Sequence, residues 1–437
     1  MKYFGTDGIR QEATKFTPDF LAAIVKGLVD YTNDCVKILI GGDNRESTEW
    51  ILQDLETALE TFGIEYANVG ILPTPAINYC FYQMGFDFAI DVTASHNPYT
   101  DNGIKIFERG EDCGVKLSEK GCAAIEKALE SPQSYTPISP SLRENLHDEA
   151  LELYLEHLRD YVGVCNFKGL HIGLDCANGA TSIIGKTIFE QLGAKVNLIH
   201  ADKSYNTKIN EKCGSTNLHS LQRLVTTKKL NFGIAFDGDG DRCMLINEIG
   251  EEIDGDQTLA ILADYFKLDT IVTTVMVNQG LLNWAKKKGI NLEVTSVGDS
   301  NVRNAMDKEH IKLGGEQSGH IILPDEPTGD GILTALMIAK IISESQKSLG
   351  ELTSNITKFP QITLNMPATP AQKKALQHKI AKNLIEEYDK NLKTVQGRLL
   401  VRPSGTEPII RITIWGNDAT AIEVIANKLK KELESIL

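Results

Sequence analysis

Short apolar runs alternate with longer amphipathic segments along roughly the first 130 residues of the chain. Residues 37–40, 65–69 and 86–92 have the length and the apolar character of buried strands. Between the first two, residues 47–62 repeat apolar positions at the spacing of a helix. Strands that alternate with helices in this way predict a mostly parallel sheet.

The same alternation returns twice further along the chain. The second unit has a helix pattern at 145–161 and apolar runs at 171–174 and 231–246. The third unit has strand patterns at 271–277 and 292–296 and a helix pattern at 331–343. Beyond Phe359-Pro360 the order changes, because a helix pattern at 371–388 precedes two strand patterns and a last helix. The sequence therefore predicts an α/β protein with three similar mixed α/β domains and a smaller C-terminal α+β domain.

Prolines and domain size indicate where the units are divided. Residues 131–141 contain three prolines and four serines, which is typical of a linker. We predict domains at 1–141, 142–248, 249–359 and 360–437, a number that fits a chain of 437 residues. Three successive units of similar size indicate an ancient repeat.

Composition and charge narrow the class of partner. Hydrophobic residues make up 42% of the chain and charged residues 24%, as in soluble globular proteins. The net charge of -14 argues against nucleic acid as a partner, because a phosphate backbone needs a basic face. There is no apolar leader and no apolar run long enough for a membrane span, so we expect no membrane partner. Eight scattered cysteines without CxxC spacing are typical of reduced thiols, and we expect a cytoplasmic protein.

The apolar run at 86–92 ends in a small polar segment, Thr93-Ala94-Ser95-His96-Asn97-Pro98. Strand ends in α/β sheets are where such folds place ligands, so Ser95 is expected to face a cleft. A serine hydroxyl is a weak nucleophile that needs a base or a charge beside it, and His96 adjoins Ser95. The alternative is an Asn-Pro turn with a capping serine, which is the commoner case for such a segment alone.

The strongest metal motif is Asp237-Gly238-Asp239-Gly240-Asp241-Arg242. Three carboxylates at alternate positions can converge on one hard cation, and the glycines let the backbone curl around it. The spacing also matches a calcium EF-hand, but that loop requires glycine where Arg242 stands, and the flanks have strand patterns. Because crowded carboxylates repel one another, a magnesium site is favoured over an empty acidic turn.

Two further loops are candidate substrate contacts. Val401-Arg402-Pro403-Ser404-Gly405-Thr406-Glu407-Pro408 has hydroxyls, a glycine and an arginine, with Arg411 downstream, which favours a phosphate cradle over an ordinary hairpin turn. Gly314-Gly315-Glu316-Gln317-Ser318-Gly319-His320 follows a strand pattern at 311–313. Its glutamate, serine and histidine can face a hydroxyl-rich ligand, and a solvated glycine-rich loop is the alternative.

Two glycine-containing segments near the N-terminus are weaker candidates. Phe4-Gly5-Thr6-Asp7-Gly8-Ile9-Arg10 has glycines that a frayed terminal strand would not need, and Arg10 can support the Ser95 loop. Gly41-Gly42-Asp43-Asn44-Arg45 follows a strand and can line the cleft, although it matches no nucleotide-binding motif.

Together and in this order, the Thr-Ala-Ser-His-Asn-Pro, Asp-Gly-Asp-Gly-Asp-Arg and Arg-Pro-Ser-Gly-Thr-Glu-Pro motifs resemble those of the α-D-phosphohexomutase superfamily, over essentially the whole chain. Within the superfamily, the chain is most similar to the branch that acts on glucosamine phosphates. Residues 4–10 and 209–216 carry this similarity, with Gln317, where the branch for mannose and glucose phosphates usually has methionine. Gln11 departs from the pattern, in which a glycine follows the arginine, and this leaves the local turn in doubt.

The resemblance implies four domains around one central cleft, and an isomerase that moves a phosphoryl group within a hexose phosphate. The implied roles are a phosphoserine at Ser95; magnesium held by the Ser95 phosphate, Asp237, Asp239 and Asp241; a reaction centre lined by Arg10, His96, Lys105 and Arg242; sugar contacts from Glu316, Ser318 and His320; and phosphate contacts from Arg402, Ser404, Gly405, Thr406 and Arg411.

The implied reaction is phosphoryl transfer between two oxygens of one sugar. Phosphorylated Ser95 would donate to glucosamine 6-phosphate, and the resulting 1,6-bisphosphate would turn over and leave glucosamine 1-phosphate, a precursor of UDP-N-acetylglucosamine and peptidoglycan. Lys105 is the candidate general base and acid, because neighbouring cations lower the pKa of a lysine. The fourth domain must grip the phosphate that is not reacting, so we expect it to close.

The resemblance also bears on activators and partners. Glucosamine 1,6-bisphosphate or glucose 1,6-bisphosphate is a candidate activator, the only expected partner is a phosphosugar, and the chain is expected to be a monomer or homodimer. Two alternatives remain, a mutase for mannose or glucose phosphates and a metal-dependent sugar-phosphate sensor without activity.

Overall fold

Four β-sheets, each with its own helices, follow one another along the chain. This computed structural model describes residues 1–32, 36–131, 144–202, 204, 206–404 and 408–437. The first three sheets combine parallel and antiparallel strands and the last is a three-stranded antiparallel sheet. The predicted fold of three mixed α/β domains and a smaller α+β domain is therefore confirmed. The predicted linker at 131–141 lies, apart from its first residue, outside the described residues.

The first sheet has the strand order β1-β2-β6-β5-β3-β4-β8, with β7 paired to β6. Its elements are β1 (Phe4–Gly5), β2 (Gly8–Glu12), α1 (Pro18–Thr32), β3 (Lys37–Gly42), α2 (Glu46–Thr61), β4 (Glu65–Ile71), α3 (Thr74–Gln83), β5 (Phe88–Val92), β6 (Asp101–Arg109), β7 (Gly114–Lys116), α4 (Glu119–Glu130) and β8 (Glu144–Asn145). The prediction of a mostly parallel sheet is wrong, because β6 runs antiparallel to both β5 and β2. Only residues 93–100 join β5 to β6, too few for the crossover that a parallel pair requires.

The second sheet has the order β10-β9-β11-β12-β13. Its elements are α5 (His147–Val162), β9 (His171–Asp175), α6 (Ile184–Gln191), β10 (Lys195–Ile199), α7 (His219–Lys228), β11 (Phe232–Phe236), β12 (Cys243–Ile246) and β13 (Glu252–Ile253). Strand β9 is parallel to β10 and β11, whereas β11 and β12 are antiparallel and joined by the acidic loop. The predicted strand flanks of that loop are confirmed.

The third sheet has the order β15-β14-β16-β17. Its elements are α8 (Gly255–Phe266), β14 (Thr270–Thr274), α9 (Gln279–Lys288), β15 (Asn291–Thr295), α10 (Asp299–Glu309), β16 (Gly314–Gly315), β17 (Ile321–Ile322), α11 (Gly331–Ser345) and α12 (Leu349–Thr353). The predicted strand at 311–313 is wrong. The Ile311 backbone N–H instead closes the end of α10 by donating to the Met306 carbonyl at 2.9 Å, and pairing begins only at Gly314.

The fourth sheet has the order β18-β20-β19. Its elements are β18 (Gln361–Pro367), α13 (Pro370–Ala375), α14 (Lys379–Asn391), β19 (Arg398–Pro403), β20 (Ile409–Trp415) and α15 (Ala419–Ile436). The two predicted strands and the last helix are confirmed, but the single helix predicted at 371–388 is wrong. It is interrupted after Ala375, where Leu376 turns into the domain core with 5% of its surface exposed.

The apolar core of the first three domains is separate from that of the fourth. One continuous cluster of buried apolar side chains extends from the first domain through the second to the third, with Phe81, Tyr154 and Leu336 among its members. The fourth domain has a separate core between its sheet, α14 and α15. One apolar core therefore extends across the first three domains, whereas the core of the fourth domain is confined to that domain.

The predicted domain limits remain predictions. Strand β8 (Glu144–Asn145) still pairs with β4 of the first sheet, and β13 (Glu252–Ile253) pairs with β12 of the second. Each of these strands lies a few residues beyond the limits predicted at 141 and 248.

Candidate active site

The candidate site includes Ser95, which lies in the loop between β5 and β6. Its backbone is left-handed, with a φ of 52°, which is uncommon outside glycine. The Ser95 hydroxyl donates to Asp237 Oδ2 at 2.6 Å, and the side chain is fully buried. The sequence placed Ser95 facing an open cleft, whereas the structure buries it against the acidic loop of the next domain.

Arg45 fixes the Ser95 loop in this conformation. Its guanidinium donates to the carbonyls of Ser95 at 2.7 Å, Pro98 at 2.6 Å, and also Asn97 and Asp101, while its Nε donates to Asp43 at 2.9 Å. A buried cation that bonds four carbonyls of one loop can offset the cost of a left-handed serine. The sequence offered this arginine only as part of a glycine-containing loop.

The loop that carries Asn210 holds Ser95 from the opposite side. Asn210 Nδ2 donates to the carbonyl of Ser95 at 2.8 Å and to that of Asn97 at 3.2 Å. Cys213 in the same segment is fully buried. The 209–216 segment therefore supports the Ser95 loop, and Asn210 was not singled out from the sequence as a site residue.

Asp237, Asp239 and Asp241 converge in the tight loop between β11 and β12. Their carboxylate oxygens lie within 4.8 Å of one another, and all three side chains are buried. A Cβ added to Gly238 would lie 2.7 Å from the Ser95 carbonyl oxygen, so only glycine lets the two loops approach this closely. The sequence prediction that these carboxylates meet at one point agrees with this arrangement.

The three aspartates fit a cation. Oδ1 of Asp239 and Oδ1 of Asp241 are buried without a hydrogen-bond partner. Burial and the negative charges of Asp239 and Asp241 raise the pKa of Asp237 well above its usual range. Buried oxygen donors without partners and mutual repulsion are what a hard divalent ion would relieve.

Lys105 is buried against the same carboxylates. Its Nζ lies 2.8 Å from Asp239 Oδ2 and 2.9 Å from Asp241 Oδ2. Burial lowers the pKa of Lys105, but the two carboxylates outweigh burial and hold it well above the usual range. The predicted lowering of the Lys105 pKa is wrong in this arrangement, because carboxylates rather than cations are its nearest charged neighbours.

Asp7 connects the N-terminal segment to this charge cluster. It forms ion pairs with Arg10, Lys116 and Lys105, the last at 3.2 Å. Although burial raises the pKa of Asp7, the lysines and Arg10 hold it well below the usual range. Arg10 is thereby held near the charges of Asp239 and Asp241, through a carboxylate that the sequence did not single out.

His96 and Arg242 form the wall between Ser95 and the open cleft. His96 Nδ1 lies 3.3 Å from the Ser95 hydroxyl oxygen. The positive charge of Arg242, together with burial and Arg10, lowers the pKa of His96 to about 3. Arg242 Nε lies 3.9 Å from Asp237 and 3.8 Å from Asp241. His96 is therefore a neutral imidazole at physiological pH.

The predicted sugar loop contributes only part of its residues to the cleft. Glu316 and Ser318 line it, and Glu316 Oε1 accepts from the Gly298 backbone N–H at 3.0 Å. His320 is 2% exposed, and its ring nitrogens face the Gly329 N–H at 3.2 Å and Asp241 at 3.7 Å. The structure thus places His320 behind the metal loop rather than at the sugar.

Gln317 of this loop turns towards the fourth domain. Its amide nitrogen donates to Gln361 Oε1 at 3.0 Å and to Asp254 Oδ2 at 3.3 Å. Trp415 Nε1 donates to the same oxygen of Gln361 at 2.8 Å. The Gln317 side chain therefore joins two domains.

The predicted phosphate loop lies across the cleft, in the fourth domain. Arg402 and Arg411 are directly opposite each other on β19 and β20, and Arg411 lines the cleft. Burial and the charge of Arg411 lower the pKa of Arg402, and its Nε is buried without a partner. Ser404 is buried beside them, whereas Gly405 and Thr406 lie outside the described residues.

One open cavity of about 890 Å³ lies between the domains and is lined by some of these groups, His96, Arg242, Glu316, Gln317, Ser318 and Arg411. The sequence did not single out Lys358, which lines this cavity and pairs with Glu252 and Asp254, each at 3.0 Å. The lining includes cations from different domains, Arg242 from the second and Arg411 from the fourth, together with carboxylates. Such a cleft suits a polar ligand that carries anionic groups.

Four domain families match the chain in succession. They are described as phosphoglucomutase/phosphomannomutase alpha/beta/alpha domains I, II and III, over residues 1–136, 152–250 and 254–359, and the C-terminal domain, over residues 364–432. Among solved structures, a phosphoglucomutase/phosphomannomutase family protein from Burkholderia thailandensis has a TM-score of 0.77 at 19% identity, covering 99% of this chain and 97% of that one. The N-acetylphosphoglucosamine mutase of Aspergillus fumigatus has a TM-score of 0.68 at 16% identity, covering 98% and 95%. Both likenesses concern the fold.

Closer relatives share the sequence along its whole length. The phosphoglucosamine mutase of Caldicellulosiruptor saccharolyticus is 40% identical, covering 100% of this chain and 99% of the relative. That of Clostridioides difficile is 38% identical, again covering 100% and 99%. The chain therefore belongs to the phosphoglucosamine mutase family of the α-D-phosphohexomutase superfamily.

Proposed function

We propose that the protein interconverts glucosamine 6-phosphate and glucosamine 1-phosphate, through a phosphoserine at Ser95 and a 1,6-bisphosphate intermediate. The observation that carries the proposal is the Ser95 hydroxyl, which lies 2.6 Å from Asp237 of the acidic loop, next to His96 and Arg242, which line the cavity. The family match supplies the reaction class, and the site supplies a residue for each step. The product would serve peptidoglycan precursor synthesis.

Transfer from phosphorylated Ser95 breaks the bond between phosphorus and the serine oxygen and forms one to a sugar hydroxyl, which loses its proton. Lys105 was predicted to take that proton, but its raised pKa keeps it an ammonium. His96 lies 3.3 Å from the Ser95 oxygen, but its pKa of about 3 makes the imidazole too weak a base to keep the proton, which in the completed transfer replaces the phosphoryl group on the Ser95 oxygen. Lys105, Arg10 and Arg242 then act as fixed cations around the transferring group.

Magnesium held by Asp237, Asp239, Asp241 and the phosphate of Ser95 would supply charge neutralisation at the transferring group. The chain's own part is to keep the three carboxylates in place. Against the effect of burial, Lys105 and His320 hold the pKa of Asp241 well below its usual range. His320 therefore serves the metal loop as a positioning residue, in place of its predicted contact with the sugar.

The fourth domain would hold the phosphate that is not reacting. Arg402 and Arg411 present paired guanidinium groups, which bind phosphate with charge-assisted hydrogen bonds. The intermediate must exchange its two ends, so this clamp has to release and grip again in each cycle. The separate core of the fourth domain supports such a movement.

Glu316 and Ser318 are proposed to hold the C3 and C4 hydroxyls, which glucose and glucosamine share. Gln317 and residues 213–216 belong to the segments that carry the similarity to the glucosamine branch, so they are the first candidates for recognition of the C2 amino group. The Gln317 amide nitrogen is bound to Gln361 and Asp254, and the Cys213 side chain is buried, so neither of these two groups is available to the amino group. The preference for glucosamine phosphate is proposed to rest on Glu252 and Asp254 of the cavity wall, whose carboxylates pair with Lys358 and would share their negative charge with the ammonium group.

Coupled assays with glucosamine, glucose and mannose phosphates under one condition test the substrate. We expect the highest kcat/KM for glucosamine phosphate and slow turnover of glucose phosphate, because the C3 and C4 contacts are shared. A ratio at or below one would favour a mutase for glucose or mannose phosphates, and no turnover of any sugar would favour a sensor.

Activator, assembly and location belong to the same proposal. Glucosamine 1,6-bisphosphate or glucose 1,6-bisphosphate would phosphorylate Ser95 initially, and the chain would act as a monomer or homodimer in the cytoplasm. Seven cysteines of the described residues are free thiols, as the cytoplasm favours. Within the described ranges, no helix has both the length and the apolar character needed to cross a membrane.

A further inference from the structure

A second group of metal-binding side chains lies in the second domain, apart from the three aspartates. Asp175, His200 and Cys213 bring a carboxylate oxygen, an imidazole nitrogen and a thiol sulfur within 4.8 Å of one another. Asp175 ends β9, His200 follows β10, and Cys213 comes from the loop that covers both strand ends. Carboxyl ends of neighbouring parallel strands are where α/β sheets place ligands.

The three donors differ in kind, and this decides which ion would suit them. A thiolate with an imidazole and a carboxylate is a donor set for zinc or a similar borderline cation, whereas magnesium prefers oxygen alone. A neutral imidazole with two anionic donors also balances a double positive charge. We propose that Asp175, His200 and Cys213 bind one zinc-class divalent cation, with water in the remaining position.

Two donors of the cluster are buried, and the third is partly exposed, which gives an ion access from solvent. Asp175 and Cys213 are fully buried, while 31% of the His200 side chain is exposed. His200 Nδ1 now lies 2.9 Å from Asp175 Oδ2, and this contact would be exchanged for two bonds to the ion. Burial raises the pKa of the Cys213 thiol to about 12, so binding must break the S–H bond and release one proton to solvent.

An ion in this position would stiffen the support of the reaction centre. Cys213 is three residues from Asn210, whose side chain holds the Ser95 carbonyl at 2.8 Å. Binding the ion would tie this loop to the ends of β9 and β10. The cation would be structural and separate from the magnesium proposed at Asp237.

Cobalt(II) is a suitable probe, because a thiolate bound to it gives an intense near-ultraviolet charge-transfer band and oxygen ligands do not. Full-length protein is stripped with chelator, titrated with cobalt and then with zinc. We expect one thiolate–cobalt band per chain, lost on zinc addition and absent in Cys213→Ser. Cys176→Ser is the matched control, because Cys176 is equally buried and also has a pKa raised to about 12, yet does not belong to the cluster. It should keep the band.

A second variant protects the test against misfolding of Cys213→Ser. His200→Ala removes a partly exposed side chain and should weaken cobalt binding at least about tenfold, the loss that even an outer partner of a metal site causes. The same titration on Asp237→Asn should leave the band in place, since that residue belongs to the oxygen site. Absence of the band in the wild-type protein at saturating cobalt, or an equal band in Cys213→Ser, would overturn the proposal in favour of a metal-free Asp175–His200 ion pair.

Discussion

The Ser95 hydroxyl of the first domain donates to the Asp237 carboxylate of the second across 2.6 Å. The proposed phosphoryl carrier and the proposed metal site therefore meet at one buried contact between two domains. Because the cluster of buried apolar side chains is continuous across these domains, their relative position is fixed by packing. The fourth domain has a core of its own, and we expect it to be the part that moves.

Replacing Arg45 tests whether catalysis requires the conformation of the Ser95 loop as well as the Ser95 hydroxyl itself. Arg45→Lys keeps a positive charge near Asp43 but loses most bonds to the loop carbonyls. Losing about 1.5–3 kcal/mol of charge-assisted bonding should lower kcat by roughly one to two orders of magnitude. KM should change little, because Arg45 is buried away from the cavity.

The control for this variant is Arg159→Lys, on the exposed face of α5, where the arginine pairs with Glu152 at 2.7 Å. It should leave both kinetic constants unchanged. Equal kcat values in Arg45→Lys and the wild-type enzyme would show that the loop keeps its shape without the arginine.

Asp239→Asn should raise the magnesium concentration needed for half-maximal activity and lower the maximal rate. It removes a buried negative charge that faces Lys105 and leaves the volume unchanged. Asp91→Asn is a close control, because Thr74 Oγ1 lies between the two carboxylates, 2.6 Å from Asp91 and 2.8 Å from Asp239.

Burial raises the pKa of Asp91 well above its usual range, which favours the neutral form, so its amide variant should retain the wild-type metal dependence. Activity is measured against magnesium after chelator treatment. Full activity of the chelated wild-type protein without added metal would refute a magnesium-dependent site.

Arg402→Ala should raise KM for both the 6-phosphate and the 1-phosphate. Either phosphate occupies the fourth-domain clamp while the other reacts, and a guanidinium–phosphate contact contributes about 1.5–3 kcal/mol. Lys428→Ala, which changes an exposed cation on α15, is the control and should not alter KM. A defect in one direction only, beyond what the reaction equilibrium requires, would argue against a shared clamp.

His157 should make the stability of the contact between the first three domains depend on pH. It stacks on Tyr79 at 4.0 Å, and its Nε2 lies 3.2 Å from Glu326 Oε1. Burial opposes protonation, but Glu326 outweighs burial and raises the pKa of His157 above 6.5. A raised pKa contributes stability that is complete below the unfolded-state value of about 6.5 and is lost as pH rises through the folded-state value.

The difference in Tm between the wild type and His157→Gln should therefore be larger at pH 5.5 than at pH 9. His219→Gln, on an exposed position of α7, should show little difference at either pH. A difference that is constant with pH in His157→Gln would assign the effect to stacking alone.

Motifs confined to a few consecutive residues were predictable from the sequence. The strand before Ser95 and the acidic loop with its strand flanks depend on local pattern and appear as expected. Arg45 and Asn210 were missed because their importance lies in contacts with carbonyls far along the chain, which side-chain type does not indicate. His320 and the pKa of Lys105 were misjudged for a related reason, since both depend on which charges the folded chain places beside them.

Two errors of fold have different origins, one in a short connection and one in tertiary packing. The direction of β6 was decided by the short Ser95 loop, because a loop of residues 93–100 permits only a return beside β5. The break before α14 was decided by the burial of Leu376 in the core of the fourth domain. Periodicity indicated the elements but not where tertiary packing ends them.

Phosphate on Ser95, and its discharge by substrate, is the most direct measure of the proposed mechanism. Full-length protein is incubated with glucosamine 1,6-bisphosphate, freed of ligand and examined by intact mass and peptide mapping, before and after addition of glucosamine 6-phosphate. We expect one phosphate on Ser95, its loss on addition of the sugar phosphate, and neither phosphate nor turnover in Ser95→Ala. Phosphate on another residue, phosphate on Ser95 that the sugar phosphate does not remove, or full activity of Ser95→Ala would contradict the mechanism.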